Sequence, residues 1–314
     1  MRLGPQIPMI AAMFRQASLR AVALLAFSIL LPACGGDTPP PRRATSPTAT
    51  VSSNDEPLRT TTVPLTPPPP VVAESAIVID PVSGRVLFAK NADAQRPIAS
   101  TQKLLTALVV MDSGSLNDPV TITVEDTQCE PTKLYLKPGE TYTRGDLLRV
   151  LLVKSANDVA KALARDVGGS VEGFAQLMNR KAASLGMRNS HFVNPNGLPN
   201  ATQYSTARDI AIASRSAWRI QTIRSMTALK STTFRLNNGS VKTLENTNKL
   251  LKRVPYCDGL KTGTTDLAGR CLVSSGTLGG RSAIVVVLKS NSANVWNDSE
   301  KLLRWSLERP AAVR

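Results

Sequence analysis

The sequence predicts an α+β fold: an antiparallel five-stranded sheet with flanking helices and a helical subdomain over about residues 112–255. Two observations carry that expectation. Beyond residue 72, apolar and β-branched runs fall into two groups, one early and one late, separated by a stretch with helical periodicity. Short turn signals join the strands within each group, which makes them antiparallel neighbours.

The elements follow in order. Ser75 to Asp80 and Arg85 to Ala89 are strands around the turn Pro81-Val82-Ser83-Gly84. Ser100 to Met111 places Leu104, Leu105, Leu108 and Val109 at helical spacing. Further helices are expected over 145–153, 158–167, 171–185 and 207–219, with Ser170 and Thr206 as N-caps. Strands over 259–262, 270–275 and 283–288 come next, with turns at 263–269 and 276–280. A final amphipathic helix from Asn294 to Leu307 is expected to bury Trp296, Leu303 and Trp305. No internal repeat is visible.

The first seventy residues read differently. Arg2, Arg15 and Arg20 precede the apolar run Ala21 to Leu31, then Ala33 and Cys34, the pattern of a secretory signal over residues 1–33. Eleven residues rise only about 16 Å as a helix, too short to span a bilayer. Cys34 directly after a small residue resembles a bacterial lipobox, so lipidation of Cys34 and a membrane anchor through that lipid are expected. The plainer alternative is an ordinary signal cut near Ala33. Residues 34–71 hold Cys34 and a segment rich in Pro and Thr, an extended tether reaching on the order of 100 Å at about 3.1 Å per residue.

Composition excludes several chemistries. The chain of 314 residues has one histidine, His191, so a zinc site built on two or three histidines cannot form. Four cysteines without C-x-x-C spacing argue against a metal cluster. No metal or cofactor is therefore expected. The net charge of +15 would suit nucleic acid, but export directs it towards anionic lipid and cell wall. The region 72–314 is left as the catalytic domain, with 42% apolar residues across the whole chain to build its core.

Three short motifs stand in order: Ser100-Thr101-Gln102-Lys103, Ser155-Ala156-Asn157 and Lys261-Thr262-Gly263. Singly they are weak, since S-x-N recurs at Ser52-Ser53-Asn54, Ser115-Leu116-Asn117 and Ser292-Ala293-Asn294. Ser100 could be only a helix cap, Lys103 a solvated first-turn residue and Lys261 an exposed strand lysine. Together they describe a serine acyl-transfer site of the penicillin-recognising type. Ser100 and Lys103 share a helix face, and a neutral lysine can activate a serine when burial or a second cation disfavours its charge. Lys261 would supply that cation and attract a substrate carboxylate. The N–H groups of Ser100 and Thr264 would form an oxyanion hole, with Gly263 letting substrate approach the strand. A triad through His191 lacks any G-x-S-x-G elbow, which leaves His191 a structural role.

The chain resembles the serine D-alanyl-D-alanine carboxypeptidases, the low-molecular-mass penicillin-binding proteins. Beyond the triplets, the resemblance rests on Ile98 to Ala107, His191 to Leu198 with Ser205 to Asp209, Asn246 to Leu251 and Gly259 to Thr265. It covers about residues 73–288. It implies the β-lactamase/DD-peptidase-like fold, an acyl-enzyme on Ser100, peptidoglycan stem peptides as substrate and β-lactams as covalent inhibitors. It also implies that Ser155 relays a proton and Asn157 positions Lys103 and the substrate amide, while Lys261, Thr262, Gly263 and Thr264 bind substrate. Many relatives append a β-rich domain and a C-terminal amphipathic helix. This chain stops soon after its last helix, so neither is expected, and the Cys34 lipid would replace that anchor in an extracytoplasmic enzyme.

Two rivals are weighed. A serine β-lactamase needs a second base, commonly a glutamate after S-x-N, whereas Asn194-Pro195-Asn196-Gly197 carries no acid and Glu172 sits on a helix. A non-catalytic wall-binding lipoprotein would need neither Ser100 nor Lys103. A Cys257–Cys271 disulfide suits an exported protein, but the two positions do not look opposite and Cys129 would be left over.

Overall fold

A computed structural model of the protein describes residues 59–60 and 67–308. The leader, Cys34 and nearly all of the tether lie outside the described residues. The strands and helices are β1 (Arg59–Thr60), β2 (Ser75–Ile79), β3 (Arg85–Lys90), α1 (Lys103–Asp112), β4 (Pro119–Thr121), α2 (Val124–Thr127), β5 (Thr141–Thr143), α3 (Arg144–Lys154), α4 (Asn157–Gly168) and α5 (Val171–Leu185). They continue as α6 (Ala207–Arg219), α7 (Gln221–Thr227), β6 (Ser231–Arg235), β7 (Val241–Glu245), α8 (Leu250–Arg253), β8 (Cys257–Thr265), β9 (Gly269–Leu278), β10 (Arg281–Ser290) and α9 (Val295–Leu307).

Five strands form the expected antiparallel sheet, in the order β3-β2-β10-β9-β8, and the two-residue β1 pairs parallel to the outer edge of β3. That pairing draws one short piece of the expected tether onto the sheet. The middle strands are buried on both faces, which explains their continuous apolar runs. Along β10, Ile284, Val286 and Leu288 join one core while Ala283, Val285 and Val287 join the other. Strand β2 alternates in the same way, with Ile77 and Ile79 against Ala76 and Val78.

One core faces α1 and α3–α6. The other is closed by α9 through Val295, Leu302, Leu303 and Leu307, whose burial contributes roughly 1.5–3 kcal/mol each for the leucines. The expectation for this helix needs correction: Leu303 is buried, but Trp296 and Trp305 are only partly so. Both indoles lie at the margin, where Trp305 meets Phe88 edge-on at 6.4 Å and Lys249 approaches the Trp296 ring at 5.8 Å.

Ser170 and Thr206 cap α5 and α6 as expected, accepting from the N–H of Gly173 and Asp209. The β8–β9 turn is shorter than expected, only Asp266 to Ala268, because Thr265 still pairs with Gly269. Gly279 and Gly280, both at positive φ, make the β9–β10 turn. The two-stranded pairs β4–β5 and β6–β7 were not legible as strands. Phe234 and Leu244 are the buried residues of β6 and β7, so neither carries an apolar run. Cys129, Cys257 and Cys271 are free thiols. The register sets Cys257 against Gly276 and Cys271 against Gly263, so no disulfide joins them.

Candidate active site

Ser100 lies in a single 3-10 turn, Ala99–Gln102, that leads into α1. This corrects the simple helix expected from residue 100. It also removes the helix-cap reading, since the Ser100 side chain makes no capping bond. Its Oγ instead donates to the Asn196 carbonyl at 3.1 Å and lies 2.9 Å from Lys103 Nζ. Ala99, just before it, sits at φ +49, a left-handed conformation that costs a non-glycine residue on the order of 1–3 kcal/mol.

Lys103 is fully buried, not solvated. Besides Ser100 Oγ, its Nζ meets the Ser155 carbonyl at 3.2 Å and Asn157 Oδ1 at 2.7 Å. A neutral amine has two N–H donors and one lone pair, so the two carbonyl oxygens can take the hydrogens and leave the lone pair for the serine proton. Burial pushes the Lys103 ammonium well below its usual range, and the positive charge of Lys261 pushes it further. Asn157 cannot rotate away, because its Nδ2 donates to the Glu130 and Pro131 carbonyls at 3.0 and 3.1 Å.

Ser155 ends α3 in the left-handed region, at φ +67, and so brings the S-x-N corner back over Lys103. Of the three other S-x-N matches, Ser52 lies outside the described residues. Ser115 accepts from the N–H of Asn117 in a surface turn, and Ser292 lines the cleft beside Arg270. Asp158, next to Asn157, accepts from the N–H groups of Leu134, Tyr135 and Leu136 and so fixes the segment that holds Asn157.

The third wall is β8, an edge strand with an unpaired side for an extended peptide. Lys261 is 1% exposed and points away from solvent, against the exposed-lysine alternative. Its Nζ donates to the Thr262 carbonyl at 3.1 Å, and desolvation lowers its pKa to about 7. Gly263 has a sharper reason than substrate access. A Cβ there would stand 2.9 Å from the Ser100 nitrogen and 3.0 Å from the Ile98 oxygen and Thr101 nitrogen. Strand and nucleophile turn touch at that point.

Ser100, Ser155, Asn157, Thr262, Gly263 and Thr264 line one cleft of about 570 Å³, with Lys103 and Lys261 buried beside it. All eight sequence-derived residues thus come together. The loop Asn194 to Gly197 was missed as a part of this site. Thr106 Oγ1 donates to the Pro195 carbonyl at 2.7 Å, and Gly197 packs so close that a Cβ would lie 2.1 Å from the Ala99 oxygen. Thr247, Arg270, Ser292 and Trp296 were also missed; Thr247 shares a 2.7 Å hydroxyl bond with Thr262. Asn248 donates to the Gly259 carbonyl and holds the start of β8. A run of asparagines beside glycine or proline was the available signal, since such side chains fix loops through their own backbone. His191 is exposed and outside the cleft, with Nδ1 2.7 Å from the Thr202 carbonyl.

Comparison with known proteins places this arrangement. The family model described as D-alanyl-D-alanine carboxypeptidase matches residues 61–292. The chain is 36% identical over 239 residues to D-alanyl-D-alanine carboxypeptidase DacB2 of Mycobacterium tuberculosis, covering 74% of this chain and 81% of that protein. It is 35% identical over 225 residues to the carboxypeptidase DacF of Bacillus subtilis, covering 70% of this chain and 58% of that longer protein. The solved structure of the Streptomyces K15 DD-transpeptidase superposes with a TM-score of 0.73 at 31% identity, over 77% of this chain and 99% of that one. The chain therefore belongs to the D-alanyl-D-alanine carboxypeptidase family.

Proposed function

We propose that this enzyme removes the terminal D-alanine from peptidoglycan stem pentapeptides through an acyl-enzyme on Ser100. The observation that carries the reading is Lys103: a buried amine 2.9 Å from Ser100 Oγ, held by two carbonyl oxygens and pushed towards its neutral form. The Ser100 proton turns from the Asn196 carbonyl to Lys103 as Oγ attacks the carbonyl carbon of the penultimate D-alanine. The oxyanion lies between the N–H groups of Ser100 and Thr264. Collapse breaks the C–N bond, and the proton held by Lys103 reaches the leaving amine through Ser155. Water, deprotonated by Lys103, then cleaves the ester and restores Ser100.

Penicillins enter the same route, but the cleaved amide stays tethered and deacylation is slow. Among the described residues, the single carboxylate lining the cleft is that of Glu245, which is 59% exposed and paired with Lys252 at 2.6 Å. Glu172 stands exposed at the start of α5, away from the cleft. No second base favours a β-lactamase. Release of D-alanine from a synthetic stem pentapeptide tests the reading: Ser100→Ala and Lys103→Ala each lower the rate by at least about 10³-fold. Rapid nitrocefin turnover by the native enzyme would instead favour the β-lactamase.

The working place is extracytoplasmic, reached through a signal over residues 1–33, with a lipid on Cys34 and the tether spanning from membrane to wall. Globomycin treatment of expressing cells leaves an unprocessed precursor if Cys34 is lipidated; normal maturation under the drug contradicts it.

A further inference from the structure

The cleft is larger than the proposed reaction needs. Its volume of about 570 Å³ lies in the range of sites that enclose drug-sized ligands, whereas the leaving group assigned so far is one alanine. The register of β8 against β9 shows where the surplus lies. Lys261 is paired with Val273 and Gly263 with Cys271, both members of the core that faces α1 and α3–α6. Thr262 is paired with Leu272, a member of the core closed by α9. Directly paired residues project from the same face of a sheet, so Thr262 and Thr264 turn towards the α9 side.

That side is walled from two further elements. Thr247, bonded to the Thr262 hydroxyl, stands two residues before Lys249, the N-cap of α8. The N–H of Thr247 donates to the Val153 carbonyl at 3.2 Å, which sets this loop beside Ser155 at the end of α3. Trp296 comes from the first turn of α9, with the Lys249 ammonium 5.8 Å from its ring centroid. Thr247, Lys249 and Trp296 all line the cleft. Trp296 stays partly exposed although its neighbour Val295 is buried. Among the described residues Lys249 makes no ion pair, while the Glu245 carboxylate on the same cleft is taken by Lys252. The wall therefore offers an aromatic ring beside a cation. In the proposed reaction the departing amine takes its proton from Ser155, so the leaving residue lies on the side where Thr247 and Lys249 follow. A methyl side chain covers little of this wall. An aliphatic chain can bury apolar area against the indole, and a carboxylate at its far end meets Lys249.

We infer that Trp296 and Lys249 select the leaving group, favouring a D-amino acid whose long aliphatic side chain ends in a carboxylate over D-alanine. The inference rests on the acyl-enzyme reading above. Trp296 supplies the apolar contact and Lys249 the charge.

The test is direct competition among three peptides that share one acyl half ending in D-alanine. They differ in the leaving residue: D-alanine, D-2-aminoheptanoic acid or D-2-aminopimelic acid. The second has the long chain without the distal carboxylate, and the third has both. Each ratio of kcat/KM is taken within one enzyme sample, so an incompletely folded variant does not distort it. The native enzyme prefers aminoheptanoic acid to D-alanine by roughly 10-fold, the scale of added apolar contact in a binding site. It prefers aminopimelic acid by about 3-fold more, the scale of an exposed charge pair. In Trp296→Ala the preference for aminoheptanoic acid over D-alanine falls below about 3-fold. In Lys249→Met aminopimelic acid loses its advantage over aminoheptanoic acid, while the preference for the long chain persists. A native enzyme that releases D-alanine at least as readily as both long residues overturns the inference, as do ratios that neither substitution moves. Release of none of the three contradicts the acyl-enzyme reading itself and the inference with it, a distinct outcome.

Discussion

Lys261 separates two effects that usually travel together. Its amine is desolvated to a pKa of about 7, against 10.5 in a solvated chain. Between those values the unfolded state binds a proton that the folded state has released. Stability therefore rises as pH climbs through this window and is lost on the way down. Lys261→Met removes that slope and stabilises the fold at neutral pH by on the order of 1–3 kcal/mol, read by urea denaturation across pH. The same substitution withdraws a positive charge from Lys103, whose pKa then rises. The acidic limb of penicillin acylation moves to higher pH; an unmoved limb would mean that Lys261 does not tune Lys103. His191 tests the opposite expectation. Its ring bonds a loop carbonyl far from the chemistry, so His191→Ala retains the acylation rate within about threefold.

The elements were legible where their pattern was strong. The continuous apolar run of β10 and the period of α5 and α6 are written in residue type, and the structure returns α5 and α6 at the expected boundaries. The nucleophile turn was not, because the 3-10 geometry at Ser100 is imposed by tertiary contacts with Gly197 and Gly263 rather than by local propensity. The hairpin β6–β7 was hidden by polar alternation, although Asn237-Asn238-Gly239 is a hairpin turn signal. The residues proposed for the site were read from motif order, while the places of Arg270 and Asn196 in the cleft needed the register and the fold of the loop. Gly197 exposes how tightly this is built. Gly197 itself sits at φ +85, and Gly197→Ala forces a Cβ against the backbone peptide between Ala99 and Ser100. It costs about 2 kcal/mol or more in stability and slows acylation at least tenfold, checked by thermal melts beside stopped-flow acylation.

At the scale of the molecule, the two cores are complete within the described residues, and the segment before β2 is tied down by Asp298 accepting from the N–H of Val72 and Ala73 and by Lys90 donating to the Val71 carbonyl. A chain begun at Pro67 loses β1 and the tether but keeps both cores. It melts within about 3 °C of the full-length protein and acylates at the same rate; a large loss of either would make residues 1–66 part of the catalytic fold. Two of the lysines counted in the +15 formal charge are buried together inside the site, Lys103 and Lys261, where desolvation disfavours their ionised forms. In the proposed reaction, that pair lets a chain with a single histidine perform serine chemistry. The most direct measurement is intact-protein mass spectrometry after exposure to benzylpenicillin, with the adduct mapped by peptide digestion. One covalent adduct on Ser100, absent in Ser100→Ala and slowed at least about 10³-fold in Lys103→Ala, is the expected result. An adduct elsewhere, or one that survives Ser100→Ala, would contradict the account.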